Sequence, residues 1–143
     1  MSTFYMNWAA FEVPTAEVVD RTTYNVQIRH PDHESIRLVV WHMEMPPEKT
    51  VRQLAARRVA EEMVRLEGYT ILEQRESLWC ESPALEVASR WRHEGTVYYQ
   101  RQVHFAADDK CRSFSLAGPF TSRTACDEWF EQIRTSLRVR SES

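Results

Sequence analysis

Glycine is scarce in this sequence, with three residues among 143. Glycine-rich phosphate loops and dinucleotide-binding fingerprints are therefore excluded, because each needs several glycines at fixed spacing. A basic excess is also lacking, since the formal net charge is -3, and this argues against nucleic acid as a partner. No apolar run approaches the ~20 residues that a helix needs to span a bilayer. We therefore expect no direct membrane insertion.

Signals for export are lacking as well. The segment MSTFYMNWAAFEVP has no basic start, no long apolar core and no small-residue cleavage site, so it does not read as a signal peptide. The three cysteines are odd in number and widely spaced, which is typical of free thiols in a reducing compartment. We expect a cytoplasmic protein with a single domain, 1–143, whose core spans about 8–138 and whose polar tail is 139–143.

Hydrophobic periodicity predicts two helices among several strands, in the order β-β-α-β-β-β-β-α. The first helix begins near Thr50 and ends at Gly68, with apolar positions 51, 54, 55, 59, 63 and 66 on one face. The second spans 121–137. Strands are predicted at 23–30, 35–45, 69–79, 84–94, 96–106 and 111–118, and AAFEV is a candidate for one more. The fold class is therefore α+β, with a single antiparallel sheet of about six or seven strands and two helices.

Turn signals define how the strands connect. The segment PDHE joins the first two as a hairpin, and Glu94–Gly95 joins two strands of a later antiparallel meander. The cluster HPDHE also has the donor atoms of a metal site. However, its spacing is that of a turn, and no distant His or Cys pair completes a tetrahedral set. No metal and no cofactor is predicted, and no nucleophile motif supports an enzyme.

One face of the meander is predicted to be small and neutral. If Leu85, Val87 and Tyr99 point at the helices, the opposite face carries Ala88, Gln100, Gln102, Ser113 and Ser115. A solvated face normally carries more Lys and Glu, whereas amides and hydroxyls can satisfy a partner's backbone without the desolvation cost of a charge. This face suits contact with another polypeptide. The alternative interpretation is an ordinary polar sheet face.

The order of several segments carries a resemblance to a known family. The segments are FEVP, DRTTYNVQI, VRQLAARRV, LEGYTILEQ, SPALEVASRW, YYQRQVHF and a C-terminal helix with a tryptophan. Over about residues 8–138 the chain resembles the DcrB-related family, in particular the Eag-type chaperones of bacterial type VI secretion. The resemblance implies a PsbP-like fold, a non-enzymatic homodimer and a concave, partly hydrophobic sheet surface. Such a surface would hold the N-terminal transmembrane segments and adjoining region of a PAAR-containing effector, stabilise it and promote its loading onto the VgrG spike.

The resemblance also implies roles for particular residues. Val26 and Ile28 would line the groove, and Gln100 and Gln102 would lie on a partly exposed face, with Gln102 bonding to effector backbone. Gln53 on the first helix would be a further polar contact. A different class of function remains open, namely a small-molecule-binding protein or enzyme that uses the concave sheet face as a pocket.

Overall fold

The computed structural model describes residues 2–6, 8–13, 17–21, 25–33 and 35–139. Within these residues the chain forms ten strands and two α-helices. In chain order they are β1 (Ser2–Tyr5), β2 (Ala9–Val13), β3 (Glu17–Arg21), β4 (Asn25–Arg29), β5 (Arg37–Glu44), α1 (Val51–Arg65), β6 (Glu67–Trp79), β7 (Ser82–His93), β8 (Thr96–Ala107), β9 (Lys110–Pro119), α2 (Arg123–Ser136) and β10 (Arg138–Val139). Neither helix is long and apolar enough to cross a membrane.

The strands form a seven-stranded antiparallel sheet in the order β3-β4-β5-β9-β8-β7-β6 and a small sheet in the order β1-β2-β10. The predicted α+β class, the β4–β5 hairpin and the β6–β9 meander are confirmed. The candidate strand AAFEV is β2, which belongs to the small sheet. The first predicted strand begins at 23–24, which lies outside the described residues.

Two-residue turns set the register of the meander. Both turn residues have positive φ in each case, at Cys80 and Glu81, Glu94 and Gly95, and Asp108 and Asp109. Such turns match the right-handed twist of the strands that they join. The predicted turn at Glu81-Ser82-Pro83 thus begins one residue earlier, and its last two residues belong to β7. Each turn fixes which residues of the flanking strands lie opposite each other.

The register corrects the predicted faces of the sheet. His93 pairs with Thr96 across the turn, so Val87 pairs with Gln102, and Leu85 with His104. Directly paired residues of an antiparallel sheet point to the same face. The expectation that Leu85 and Val87 share a face with Tyr99 is therefore wrong. They lie on the face that carries Gln100 and Gln102, which we call the glutamine face. Strand β7 is buried on both of its faces.

Helix α1 covers part of the glutamine face. Thr50 caps it in a capping box, since its hydroxyl accepts from the Gln53 N–H while the Gln53 side chain accepts from the Thr50 N–H. Its buried face packs Ala55 and Val59 against Leu85 and Val87, and the helix contacts β6, β7 and β8. The predicted stripe is wrong at position 63. Met63 is 54% exposed, whereas Glu62, one residue earlier, is 1% exposed.

The opposite face of the sheet carries the main core. Helix α2 and the small sheet pack on it, and the predicted stripe of α2, which includes Trp129 and Phe130, is buried. Aromatic rings interlock there: Phe11 meets Phe114 edge to face at 5.2 Å between ring centroids, and Trp79 meets Phe130 at 5.0 Å. The two faces are thus covered unequally, because α1 packs mainly on β6, β7 and β8 and leaves part of the glutamine face over β4, β5 and β9 open.

Candidate functional site

The open half of the glutamine face forms a groove of about 520 Å³. Its floor comes from β4, β5, β8 and β9, and α1 borders it through Arg58. We call this site the groove. Its lining residues are Gln27, Ser35, Arg37, Val39, Trp41, His42, Arg58, Tyr98, Gln100, Ser115, Ala117 and Gly118.

The strand register orders the floor of the groove in rows. One row runs from Arg37 through Ala117 to Gln100, and the next runs through Gln27, Val39, Ser115 and Gln102. The row after that contains Trp41. A segment lying along the strands would therefore meet a guanidinium at one end, small and amide side chains in the middle and an indole at the other end.

A buried carboxylate connects the floor to α1. The Glu62 carboxylate accepts hydrogen bonds from Gln100 Nε2 at 3.0 Å, from Gln102 Nε2 at 3.2 Å and from Arg58 Nε at 3.2 Å. A buried carboxylate is tolerated only when its oxygens are paired in this way. The two glutamines therefore hold α1 on the sheet, and Gln100 does so while it also lines the groove.

A stacked pair separates the groove from a second cavity. The Arg58 guanidinium lies 4.8 Å from the centroid of the Trp41 ring, and the Trp41 indole donates to Ser115 Oγ at 3.1 Å. Both members of this pair also line a cavity of about 490 Å³ between α1 and the end of β5, where Gln53 lies. The pair therefore forms the wall between the two cavities.

A serine–histidine pair lies beneath α1, but neither side chain is accessible. His104 Nδ1 and Ser113 Oγ are 2.7 Å apart, and both residues are 0% exposed. Burial, together with the nearby charge of Arg58, lowers the pKa of His104 to about 4, so the ring is neutral at pH 7. A substrate could not reach this hydroxyl. Within the described residues no cluster of three or more potential metal ligands occurs.

The predicted site residues fall into four groups, of which three lie on or beside the glutamine face. Gln100 and Ser115 line the groove. Gln102 and Ser113 lie on the same face but are 0% exposed, so the expected partial exposure of Gln102 is corrected. The cause is α1, which covers Gln102 and whose Glu62 carboxylate accepts a hydrogen bond from the Gln102 amide. Gln53 is exposed, lies in the second cavity and completes the helix cap.

The remaining three predicted residues lie on the opposite face. Val26 and Ile28 are 4% and 1% exposed and belong to the main core, as do Val40 and Leu38 of β5, with which they pair. Their predicted place in the groove is corrected: the groove residue of this strand is Gln27. Ala88 is also in the main core, since it pairs with Arg101 rather than with a glutamine.

Several groove residues were missed by the sequence reasoning. Once Leu38 and Val40 are taken as core, the period of two puts Arg37, Val39 and Trp41 on the other face of the sheet. Glu62 also left a signal, because it follows Val59 by three positions on the buried face of α1. An acidic residue at such a position indicates a polar partner on the sheet.

The groove is basic at its Arg37 end and beside α1, and it is neutral over the rest of its floor. Arg37, Arg58 and His42 line it, and no Asp or Glu does so among the residues that the structure describes. His42 has a lowered pKa, because it is partly buried and lies near Arg112 and Lys110, and it therefore contributes little charge at neutral pH. Arg58 is neutralised by Glu62. The described residues of the groove can thus make amide and hydroxyl hydrogen bonds and aromatic contacts, and Arg37 adds a positive charge.

Comparison with known proteins identifies the family. The DcrB family model matches residues 9–136, so the chain belongs to the DcrB family. No curated protein sequence gives a significant match.

Solved structures with the same fold come from several bacteria. CyanoP, the cyanobacterial PsbP of Synechocystis sp. PCC 6803, matches with a TM-score of 0.77 at 15% identity over 97% of this chain and 92% of its own. PA94 of Pseudomonas aeruginosa, a putative regulator of unknown function, matches with a TM-score of 0.71 at 15% identity over 99% of both chains. The T6SS immunity protein TplEi of Pseudomonas aeruginosa, complexed with "L" peptide, matches with a TM-score of 0.59 at 15% identity over 90% of this chain and 56% of its own. The fold is PsbP-like.

Proposed function

We propose that this protein is a chaperone of the Eag type. It binds the N-terminal transmembrane and adjoining region of a PAAR-containing type VI secretion effector in the cytoplasm, stabilises it and promotes its loading onto the VgrG spike. It performs no catalysis and needs no cofactor. The observation that carries the proposal is the groove, where amides and hydroxyls stand beside Val39, Ala117 and Trp41 on an open sheet face.

The physical argument concerns the needs of a transmembrane segment in water. Its apolar surface would aggregate unless it is covered. Its polar groups make hydrogen bonds to neighbouring helices in a membrane, and the amide of Gln27 and the hydroxyl of Ser35 can replace those bonds. Neutral groups do so without placing a charge against an apolar helix.

Family and fold support a polypeptide partner. The chain is a DcrB family member, and a T6SS immunity protein with the same fold has been solved with a peptide bound. We further propose a homodimer, because a ~20-residue helix is ~30 Å long and one groove of this size would cover only one side of it.

Co-purification tests the proposal. The chain is expressed together with the N-terminal region of a PAAR effector from a neighbouring gene, and the complex is isolated through a tag on the effector. Val39→Asp should reduce recovery about tenfold or more, because it places a carboxylate against an apolar segment. Val64→Asp is the matched control, since Val64 is 91% exposed on α1 and lies outside the groove.

Both variants are first checked by circular dichroism and thermal melting, and Ala117→Asp serves as a second groove variant. Undiminished recovery with both folded groove variants would contradict the proposal. Native mass spectrometry that instead finds a small molecule retained by the wild type and lost in Val39→Asp would favour the alternative, a small-molecule binder. The groove volume of about 520 Å³ is compatible with that class.

A further inference from the structure

Among the described residues, Arg37 is a cation at one end of the groove without an ion-pair partner. It lines the groove, and within the described part of the chain no carboxylate lies within salt-bridge distance of it. The other arginine of the groove differs, because Arg58 Nε lies 3.2 Å from the Glu62 carboxylate. Counted over its described lining residues, the groove therefore has a positive net charge, although the whole chain carries -3.

The surroundings of Arg37 favour an anion. Its direct cross-strand partner on one side is Arg29, so no carboxylate lies opposite it in that strand. Its partner on the other side is Ala117, whose methyl group leaves room beside the guanidinium. One step further along the same row, Gln100 lines the groove. An incoming carboxylate could accept two parallel hydrogen bonds from Arg37.

The rest of the groove limits what kind of anion fits. Beyond Arg37 the floor is neutral, with Val39 and Ser115 in the next row and Trp41 in the one after it. A polyanion such as a nucleic acid would need several cations spaced along its backbone. One cation at the end of a neutral, partly apolar floor suits a single carboxylate beside an apolar stretch of polypeptide.

We infer that the segment bound in the groove carries an Asp or Glu that pairs with Arg37, while its adjoining apolar residues lie over Val39 and toward Trp41. The inference rests on the proposed function, because it specifies the chemistry of the polypeptide that the same groove binds. It goes further by fixing the orientation of that polypeptide, since the acidic residue is placed at the β4–β5 hairpin end of the groove.

A selection from random peptides tests this, because it does not require the partner to be identified. The wild-type chain is used to select from a library of random 16-residue peptides displayed on phage, in parallel with Arg37→Gln and Arg37→Glu. Arg52→Gln is the matched control, because Arg52 is an exposed arginine of α1 that pairs with Glu76 away from the groove. An enriched peptide is then made with a fluorescein label, in one form with its acidic residue and in one form with the corresponding amide.

We expect the wild type and Arg52→Gln to enrich apolar peptides flanked by Asp or Glu, and Arg37→Glu to enrich Lys or Arg instead. In fluorescence polarisation, Arg37→Gln should weaken binding of the acidic peptide by about tenfold, the scale of a charge-assisted pair. It should leave binding of the amide peptide unchanged, because the interaction is then already absent. The comparison of the two peptides on the wild type keeps the test decisive even if an Arg37 variant folds poorly.

Two results would overturn the inference while leaving the proposed function intact. The wild type could enrich apolar peptides without any acidic preference, or Arg37→Gln and Arg52→Gln could weaken the acidic peptide equally. If the wild type enriched no peptide at all, the proposed function would fall together with the inference. A melting temperature raised by millimolar succinate in the wild type but not in Arg37→Gln, without peptide binding, would assign the cation to a small carboxylate ligand and overturn both.

Discussion

Glu62 shows that the role of a glutamate on a helix depends on its position. An acidic residue on a mixed-charge helix is normally solvated, but Glu62 is 1% exposed and lies between α1 and the sheet. Its carboxylate is stabilised by donors from Gln100, Gln102 and Arg58, which replace the water that it has lost. The cost of burial is offset only while those donors are present. The two glutamines are therefore structural residues first.

Gln102→Ala should lower the free energy of unfolding of the isolated protein by ~1 to 3 kcal/mol, because a buried carboxylate loses one of its donors. Gln27→Ala is the matched control. It removes the same amide from a half-buried position of the groove, and it should change stability by less than ~0.5 kcal/mol. Urea denaturation of both variants measures the difference. If the two variants were equally stable, the structural role given to Gln102 would be wrong.

At the scale of elements, α1 begins at a complete cap whereas α2 does not. Thr50 and Gln53 exchange side-chain hydrogen bonds with each other's backbone N–H at the start of α1. At the start of α2, Ser122 makes no side-chain cap bond. Because α1 borders the groove and carries both Arg58 and Glu62, the geometry of the site depends on how well this helix is formed.

Thr50→Ala should destabilise the protein by ~1 kcal/mol and increase amide hydrogen exchange in the first turn of α1. Ser122→Ala makes the matching change at a helix start that lacks the bond, so its effect on unfolding should be close to zero. Hydrogen exchange followed by mass spectrometry, together with urea denaturation, distinguishes the two. Equal destabilisation by both substitutions would contradict the role given to the cap.

The elements themselves could be predicted from the sequence, since Pro46 and Pro47 separate β5 from α1 and the turn residues separate the meander strands. The faces could not be predicted from alternation alone. Strand β7 is apolar on both sides, because α1 covers one face and the main core covers the other. The two-residue turn at Glu94 and Gly95 would have predicted the faces correctly. It fixes the register so that odd-numbered residues of β7 pair with even-numbered residues of β8 and share a face with them.

The groove was predicted only in part for the same reason. Gln100 and Ser115 were placed correctly, because β8 and β9 alternate clearly between core and polar residues. Gln102 was expected to be partly exposed, since no local pattern tells where a helix will lie across a sheet. That position depends on long-range packing of Ala55 and Val59 against β7.

At the scale of the whole molecule, a neutral imidazole lies between the helix and the sheet. The pKa of His104 falls from 6.5 to about 4 on folding, because burial disfavours the charged ring and Arg58 adds to this. The unfolded chain therefore binds a proton at higher pH than the folded one. The stability that this provides is complete above pH ~6.5 and is lost as the pH falls toward ~4, by a total of ~3 kcal/mol.

We expect the free energy of unfolding to fall between pH 7 and pH 4.5, and the fall to be smaller in His104→Gln because a glutamine at this position does not titrate. His30 and His42 also have lowered pKa values, because each is partly buried, so the fall should not vanish. His93→Gln, at an exposed position, is the control and should follow the wild type. Urea titrations at a series of pH values provide the measurement. A wild-type slope in His104→Gln would refute the assignment.

Because α1 covers only part of the glutamine face, a bound helix could complete the layer of helices on that face of the domain. Helix α1 packs mainly on the β6–β8 side of that face, and neighbouring packed helices lie ~8 to 10 Å apart. A guest helix laid over β4, β5 and β9 would lie beside α1 and complete a second layer on the sheet. In architectural terms the guest would be the third helix of the domain. The complete fold would then be encoded by two genes. Substitutions in this chain where it contacts the guest helix would be tolerated only together with compensating substitutions in that helix.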